Sequence, residues 1–110
     1  MAVFLAACNG EETMESDQFY LTIGADHVKR IELTTKNTSG GCENADSSLF
    51  QKGERVWLEN LDGYRDLRGV TITALDEKGT IIWSASVSDD AENTGVTRLT
   101  QGEWMLERGE

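Results

Sequence analysis

Residues 69–87, Gly-Val-Thr-Ile-Thr-Ala-Leu-Asp-Glu-Lys-Gly-Thr-Ile-Ile-Trp-Ser-Ala-Ser-Val, decide the fold class. Val70, Ile72 and Ala74 alternate with Thr71 and Thr73, and after Asp76-Glu77-Lys78-Gly79 the sequence resumes with Ile81, Trp83, Ala85 and Val87 alternating with Ile82, Ser84 and Ser86. Period two over two runs separated by a short polar reversal predicts a β-hairpin. Gly79 is expected at the turn position that needs a positive φ, which costs glycine nothing and an L side chain a steric clash.

The same period recurs on both sides. Phe19, Leu21 and Ile23 share one face of a strand that ends at Gly24-Ala25-Asp26, and Ile31 and Leu33 share a face of a second over 28–35. Val56 and Leu58 mark a third over 55–60, and two short extended segments, 96–100 and 103–106, flank Gln101-Gly102. Residues 36–48 are polar, rich in turn formers and without period, and are expected to be a loop. No stretch sustains a 3.6-residue apolar period. The expectation is an all-β fold, a small antiparallel β-sandwich of about seven strands. Trp83 and Trp104 are in phase with core positions, whereas Trp57 is in phase with Glu59, opposite Val56 and Leu58.

Composition bounds the function. The chain of 110 residues is one domain's worth of polypeptide. Its net charge of −10 has the wrong sign for a protein that neutralises phosphate backbones, which disfavours nucleic-acid binding. No apolar run reaches the roughly 20 residues of a membrane-spanning helix.

Leu5-Ala6-Ala7-Cys8, followed by the polar Asn9-Gly10-Glu11-Glu12, resembles the lipobox of bacterial lipoproteins, in which an apolar residue and two small ones precede a cysteine acylated on its sulfur. The resemblance implies a lipidated Cys8, a cell-envelope location and membrane attachment through that lipid. Residues 1–7 contain no Lys or Arg, so they are expected to be the remnant of a longer signal peptide; the alternative is a short N-terminus of a cytoplasmic protein, an apolar strand with Cys8 buried as a small hydrophobe. Residues 8–17, with four acids and no base, then read as a lipidated cysteine and a solvated tether, and 18–110 as the domain. Cys42 is the one remaining cysteine. Beside a lipidated Cys8 it would be reactive, intermolecularly paired or buried; a Cys8–Cys42 disulfide is the competing account and requires an exported chain without lipid.

Residues 69–79 with Ile82-Trp83-Ser84, together with Leu99-Thr100-Gln101-Gly102-Glu103-Trp104-Met105-Leu106, resemble the hairpin and closing strand of transthyretin-like or immunoglobulin-like modules of bacterial envelope proteins. This implies a fold and not an activity. Isopeptide-forming relatives pair an early-strand Lys with an Asn or Asp in the last strand; Lys29 could serve as the first, but 103–106 offer no partner.

Catalysis has few candidates. His27, beside Asp26, is the single histidine, so a thiol or hydrolytic enzyme would have to use Cys42 and His27. Asp89-Asp90-Ala91-Glu92-Asn93-Thr94-Gly95 concentrates oxygen ligands but breaks the EF-hand spacing at Ala91, and reads as a solvated connection rather than a calcium loop. One His and one spare Cys do not make a zinc site. No cofactor is expected. Trp57, Tyr64, Arg65 and Arg68 combine aromatic and Arg side chains, the usual anchors of recognition surfaces, and form the candidate binding patch for an envelope protein or small ligand. The favoured reading is a non-catalytic binding module of the envelope. The enzyme and a soluble acidic inhibitor or adaptor are the alternatives.

Overall fold

The computed structural model describes residues 18–44, 46–61 and 63–109, and the backbone of 8–10. The strands are β1 (Cys8–Gly10), β2 (Phe19–Thr22), β3 (Arg30–Thr34), β4 (Ser39–Cys42), β5 (Arg55–Leu58), β6 (Thr71–Leu75), β7 (Ile81–Ser86), β8 (Arg98–Gln101) and β9 (Trp104–Arg108). Short 3-10 turns occupy Glu59–Leu61 and Ala91–Asn93. The strands make two antiparallel sheets, one of five strands in the order β1-β5-β2-β9-β8 and one of four in the order β4-β3-β6-β7. The protein is an all-β sandwich.

Alternation sets the core. From the five-stranded sheet come Phe19, Leu21, Val56, Leu58, Trp104 and Leu106; Ile31, Leu33, Ile72, Ala74 and Trp83 meet them from the other. Connecting segments add Ile23, Val28, Phe50, Leu61, Leu67 and Val70, all but inaccessible to water. At the centre Trp83 and Trp104 stack with ring centroids 4.5 Å apart and planes 1° from parallel, joining the edge strand β7 to β9 across the sandwich. Gly24 lies directly against the Trp104 indole. The Trp83 Nε1 hydrogen is buried without a hydrogen-bond partner among the described residues, so the stack rests on apolar contact and ring geometry.

The hairpin is as expected. Gly79 has φ +83°, and Asp76 Oδ1 accepts from the Lys78 and Thr80 amides at 2.9 Å each, an Asx turn that closes the reversal. Three features differ from the sequence reading. Residues 39–42 are not loop but the edge strand β4, paired to β3 with Ile31 opposite Cys42 and Thr34 opposite Ser39. Backbone hydrogen bonds carry this strand, and the Arg30 guanidinium occupies the space that a side chain at Gly41 would need. Cys8–Gly10, at the start of the expected tether, pairs with β5 as β1, Cys8 opposite Leu58. The expected signal remnant at 1–7 and the rest of the tether at 11–17 lie outside the described residues. Ile81, expected inside, is 62% exposed, because a register shift after Ala74 places it opposite Leu75 and turns it outward.

Candidate functional site

One end of the four-stranded sheet finishes in a row of small hydroxyl residues, Ser39, Thr34, Thr71 and Ser86, in register across β4, β3, β6 and β7. Three connections meet above this row: the tight turn after β3, segment 63–70 before β6, and segment 87–97 after β7. They enclose an open depression of about 260 Å³. Its walls are Lys36 and Asn37 from the first connection, Tyr64, Arg65, Asp66 and Arg68 from the second, and Asp89 from the third.

Local chemistry fixes each wall. Thr35, the one buried polar residue among those described, accepts at Oγ1 from the Asn37 amide (3.2 Å) and the Thr38 amide (3.0 Å), which folds the first turn. The same oxygen lies 3.0 Å from the donating Tyr64 hydroxyl, so the half-buried phenol is held from its tip. Asp66 joins the second connection to the third, accepting from the Arg68 amide at 3.1 Å and the Gly95 amide at 3.2 Å. These two hydrogen bonds hold its carboxyl below the ordinary value of 3.8, Gly95 contributing most. Leu67, fully buried between them, donates its amide to the Val96 carbonyl at 2.8 Å and pins the segment to the core.

The charged rim is arranged around Asp89. Its carboxylate lies 2.8 Å from Lys36 Nζ and 3.7 Å from Arg68 Nε. Arg68 also donates from Nη1 to Thr94 Oγ1 at 2.9 Å, so its guanidinium is oriented from two sides. Arg65 is different. Its carbonyl accepts from Arg108 Nη1 at 3.4 Å, but its exposed guanidinium enters no hydrogen bond or ion pair with a described residue. The depression thus offers one uncommitted guanidinium, one pre-oriented guanidinium with donors to spare and one ammonium, beside the ring of Tyr64.

Of the expected patch, Tyr64, Arg65 and Arg68 come together here. Trp57 does not. It is half-buried on the outer face of the five-stranded sheet, in register with Asn9 and Tyr20, outside the walls of the depression. Lys36 and Asp89 escaped the sequence reading because Lys36 lies 28 residues before Tyr64 and Asp89 lies 21 residues after Arg68, in separate connections; only the fold adds them.

The remaining candidates are dispersed. Cys42 is 2% exposed and disulfide-bonded, so it carries no thiolate in this structure. The chain's other cysteine is Cys8, whose side chain lies outside the described residues. His27 is exposed in a turn with φ 67°, and neighbouring Asp26 accepts from the Lys52 amide at 2.9 Å. Lys29 lies 3.7 Å from Glu43 and donates to the Ser47 carbonyl at 3.2 Å. In the acidic connection, Asp90 caps the 3-10 turn by accepting from the Glu92 amide, and Asp89 is engaged with Lys36 and Arg68. Among the described residues no three His, Cys, Asp or Glu side chains converge, and no helix is long and apolar enough to cross a membrane.

Comparisons of the chain with protein-family models, with curated proteins and with solved structures found no match.

Proposed function

We propose that the chain is a non-catalytic binding β-sandwich of the bacterial cell envelope, attached to a membrane through a lipid on Cys8. The observation that carries the binding reading is the depression at the end of the four-stranded sheet, where three of the four recognition side chains singled out in the sequence line one cavity. Concave sites with a few convergent polar groups are where small ligands bind. The envelope reading rests on Leu5-Ala6-Ala7-Cys8 and the acids that follow it. A diacylglyceryl group on the Cys8 sulfur supplies the attachment, each buried methylene contributing about 0.8 kcal/mol. A chain of net charge −10 needs such a group, because an anionic surface repels it.

The disulfide at Cys42 favours a second reading. A sulfur in a disulfide is not available for acylation, so if Cys8 is the partner the chain is exported without lipid. Both readings share one compartment, since thioether acylation and lasting disulfides each belong outside the cytosol.

Fractionation of a bacterium expressing the whole upstream reading frame, followed by intact mass measurement, tests this. A lipid-bearing chain in the membrane fraction, with Cys8→Ser accumulating as unprocessed precursor, is the expected result. A soluble exported chain two hydrogens lighter than the reduced form selects the disulfide reading. A cytosolic chain with Met1 in place and both thiols free overturns the envelope assignment.

A further inference from the structure

We propose that the depression formed by Lys36, Tyr64, Arg65, Arg68 and Asp89 is a site for a small oxyanionic ligand, a carboxylate or phosphate group carried on a compact polar body. The inference rests on the binding reading above and gives it a ligand chemistry.

The distribution of charge is the first argument. The chain has ten basic residues against twenty acidic ones, yet three of the ten line one depression whose walls hold two acids. Of the seven basic residues elsewhere, four meet carboxylates, Lys29 and Arg30 at Glu43, Lys52 at Glu103 and Arg98 at Glu107, whereas the depression gathers three cations from separate connections into one concave wall. Within the depression both acids are already engaged. Asp66 turns one oxygen to each of two backbone amides, and Asp89 turns one to Lys36 and the other to Arg68. Arg65 is left as surplus positive charge with a planar fork of donors.

The second argument is preparation. Arg68 is held by Thr94 and Asp89 through Nη1 and Nε, which leaves Nη2 and the second Nη1 hydrogen to donate. A guanidinium fixed in advance loses little further freedom when an oxyanion arrives. Tyr64, tied at its hydroxyl to Thr35, gives a firm wall against which the body of a ligand can rest. A cation would be repelled by Arg65, which has no carboxylate partner among the described residues, and a neutral molecule would gain only ordinary hydrogen bonds from it, without the charge assistance an oxyanion receives.

Size is the third. A volume of about 260 Å³ falls just below the range of about 300–1,000 Å³ typical of sites for drug-sized molecules, which suits one ring or a short acyl unit. The protein's overall negative charge opposes a polyanion, so a single oxyanion is the match.

The test is a titration of the full-length oxidised chain, followed by amide resonances in two-dimensional NMR, with glucuronate, glucose 1-phosphate and glucose in parallel. At millimolar concentrations at least one of the two acids is expected to shift the amides of 64–69 and Gly95 saturably while glucose does not; which acid binds identifies the carboxylate or the phosphate as the source. Arg65→Ala should weaken binding about tenfold, the loss of one charge-assisted hydrogen-bonding group, with Arg65→Lys in between. Lys52→Ala, remote from the depression, should leave it unchanged. No saturable shift with either acid, equal binding of glucose, or an Arg65→Ala chain that binds like the original overturns the oxyanion site. Such a failure is distinguishable from failure of the envelope reading, which is decided by fractionation and mass without any ligand.

Discussion

Gly24→Ala should be among the most damaging single-methyl additions to this protein. A Cβ built on Gly24 falls 2.5 Å from Trp104 Cδ1, 2.6 Å from Cγ and 2.7 Å from Nε1, about 1 Å inside the separation of roughly 3.5–4.0 Å at which carbon atoms attract. The indole has little room to move, because Trp104 is 6% exposed and its ring is stacked on Trp83 with centroids 4.5 Å apart. Overpacking of this kind costs about 1–3 kcal/mol, and disturbing the ring stack adds about 0.5–1.5 kcal/mol. The expected total is about 2–4 kcal/mol, a large share of the roughly 5–15 kcal/mol that holds a small domain together. With a urea slope of about 1–3 kcal/mol per molar, the unfolding midpoint should fall by about 1–2 M. Near-ultraviolet circular dichroism should show the Trp83–Trp104 signal weakened before any unfolding. Gly53→Ala is the reference: its Cβ meets nothing within 4 Å, but φ is +93°, so it reports backbone strain alone. A Gly24→Ala chain no less stable than Gly53→Ala, with an unaltered near-ultraviolet spectrum, would refute the packing argument.

Three further outcomes are expected. Gly79→Val should lose about 1 kcal/mol or more through a β-branched residue at φ +83°, whereas Lys78→Ala should be close to neutral; equal urea midpoints for the two would contradict the turn's role. Asp66 is held below its ordinary pKa by the Gly95 and Arg68 amides, so its contribution is complete above the unfolded carboxylate value and is lost as pH falls through the lowered folded value. The stability gap between the original chain and Asp66→Asn should therefore hold steady at neutral pH and narrow in acid, and urea midpoints that diverge on acidification would be inconsistent with this. Reduction of the Cys42 disulfide should destabilise the protein by about 2–4 kcal/mol, read as a drop in thermal midpoint on adding a thiol reductant; an unchanged midpoint would mean that the bond does not constrain the chain.

How much of this could be read in the sequence depended on whether a strand is made by side chains or by backbone. Where side chains decide, as in Phe19, Leu21 and Ile23 or in Val70, Ile72 and Ala74, alternation identified both the strand and its inward face. β4, with the sequence Ser-Gly-Gly-Cys, has no alternation to read. It exists because β3 offers a free edge and because glycine lets Arg30 lie across it, a fact of a neighbouring strand. β1 is legible in the same incomplete way, since Cys-Asn-Gly signals no strand and its pairing is dictated by β5. Ile81 was misplaced for a third reason: strict alternation counts one residue per step, and the register shift opposite Leu75 breaks the count. The candidate site divides along the same line. Tyr64, Arg65 and Arg68 are close in sequence and were found; Lys36 and Asp89 arrive from other connections, and Trp57, close in sequence, is carried to another face by the strand that holds it.

On the proposed reading, attachment and binding would occupy separate parts of this architecture. The depression is built entirely from connections after β3, before β6 and after β7, and each is tied down within that set: Tyr64 to Thr35, Asp66 to Gly95, Leu67 to Val96, Asp89 to Lys36 and Arg68. None of these bonds involves a residue before β2. β1 contacts the fold through β5, on the edge of the other sheet, and Cys42 lies at the opposite end of β4 from Ser39, which belongs to the row beneath the depression. Three steps of extended chain, from Ser39 to Cys42, separate those two positions by about 10 Å. A lipid on Cys8 would draw the chain toward a membrane at the β1 edge, and a disulfide would clamp the Cys42 end of β4. In either case the walls that present Arg65, Arg68 and Lys36 keep their own supports. On the proposed reading, the chemistry of the sulfur would therefore determine where the protein is held, and the three connections what it can hold.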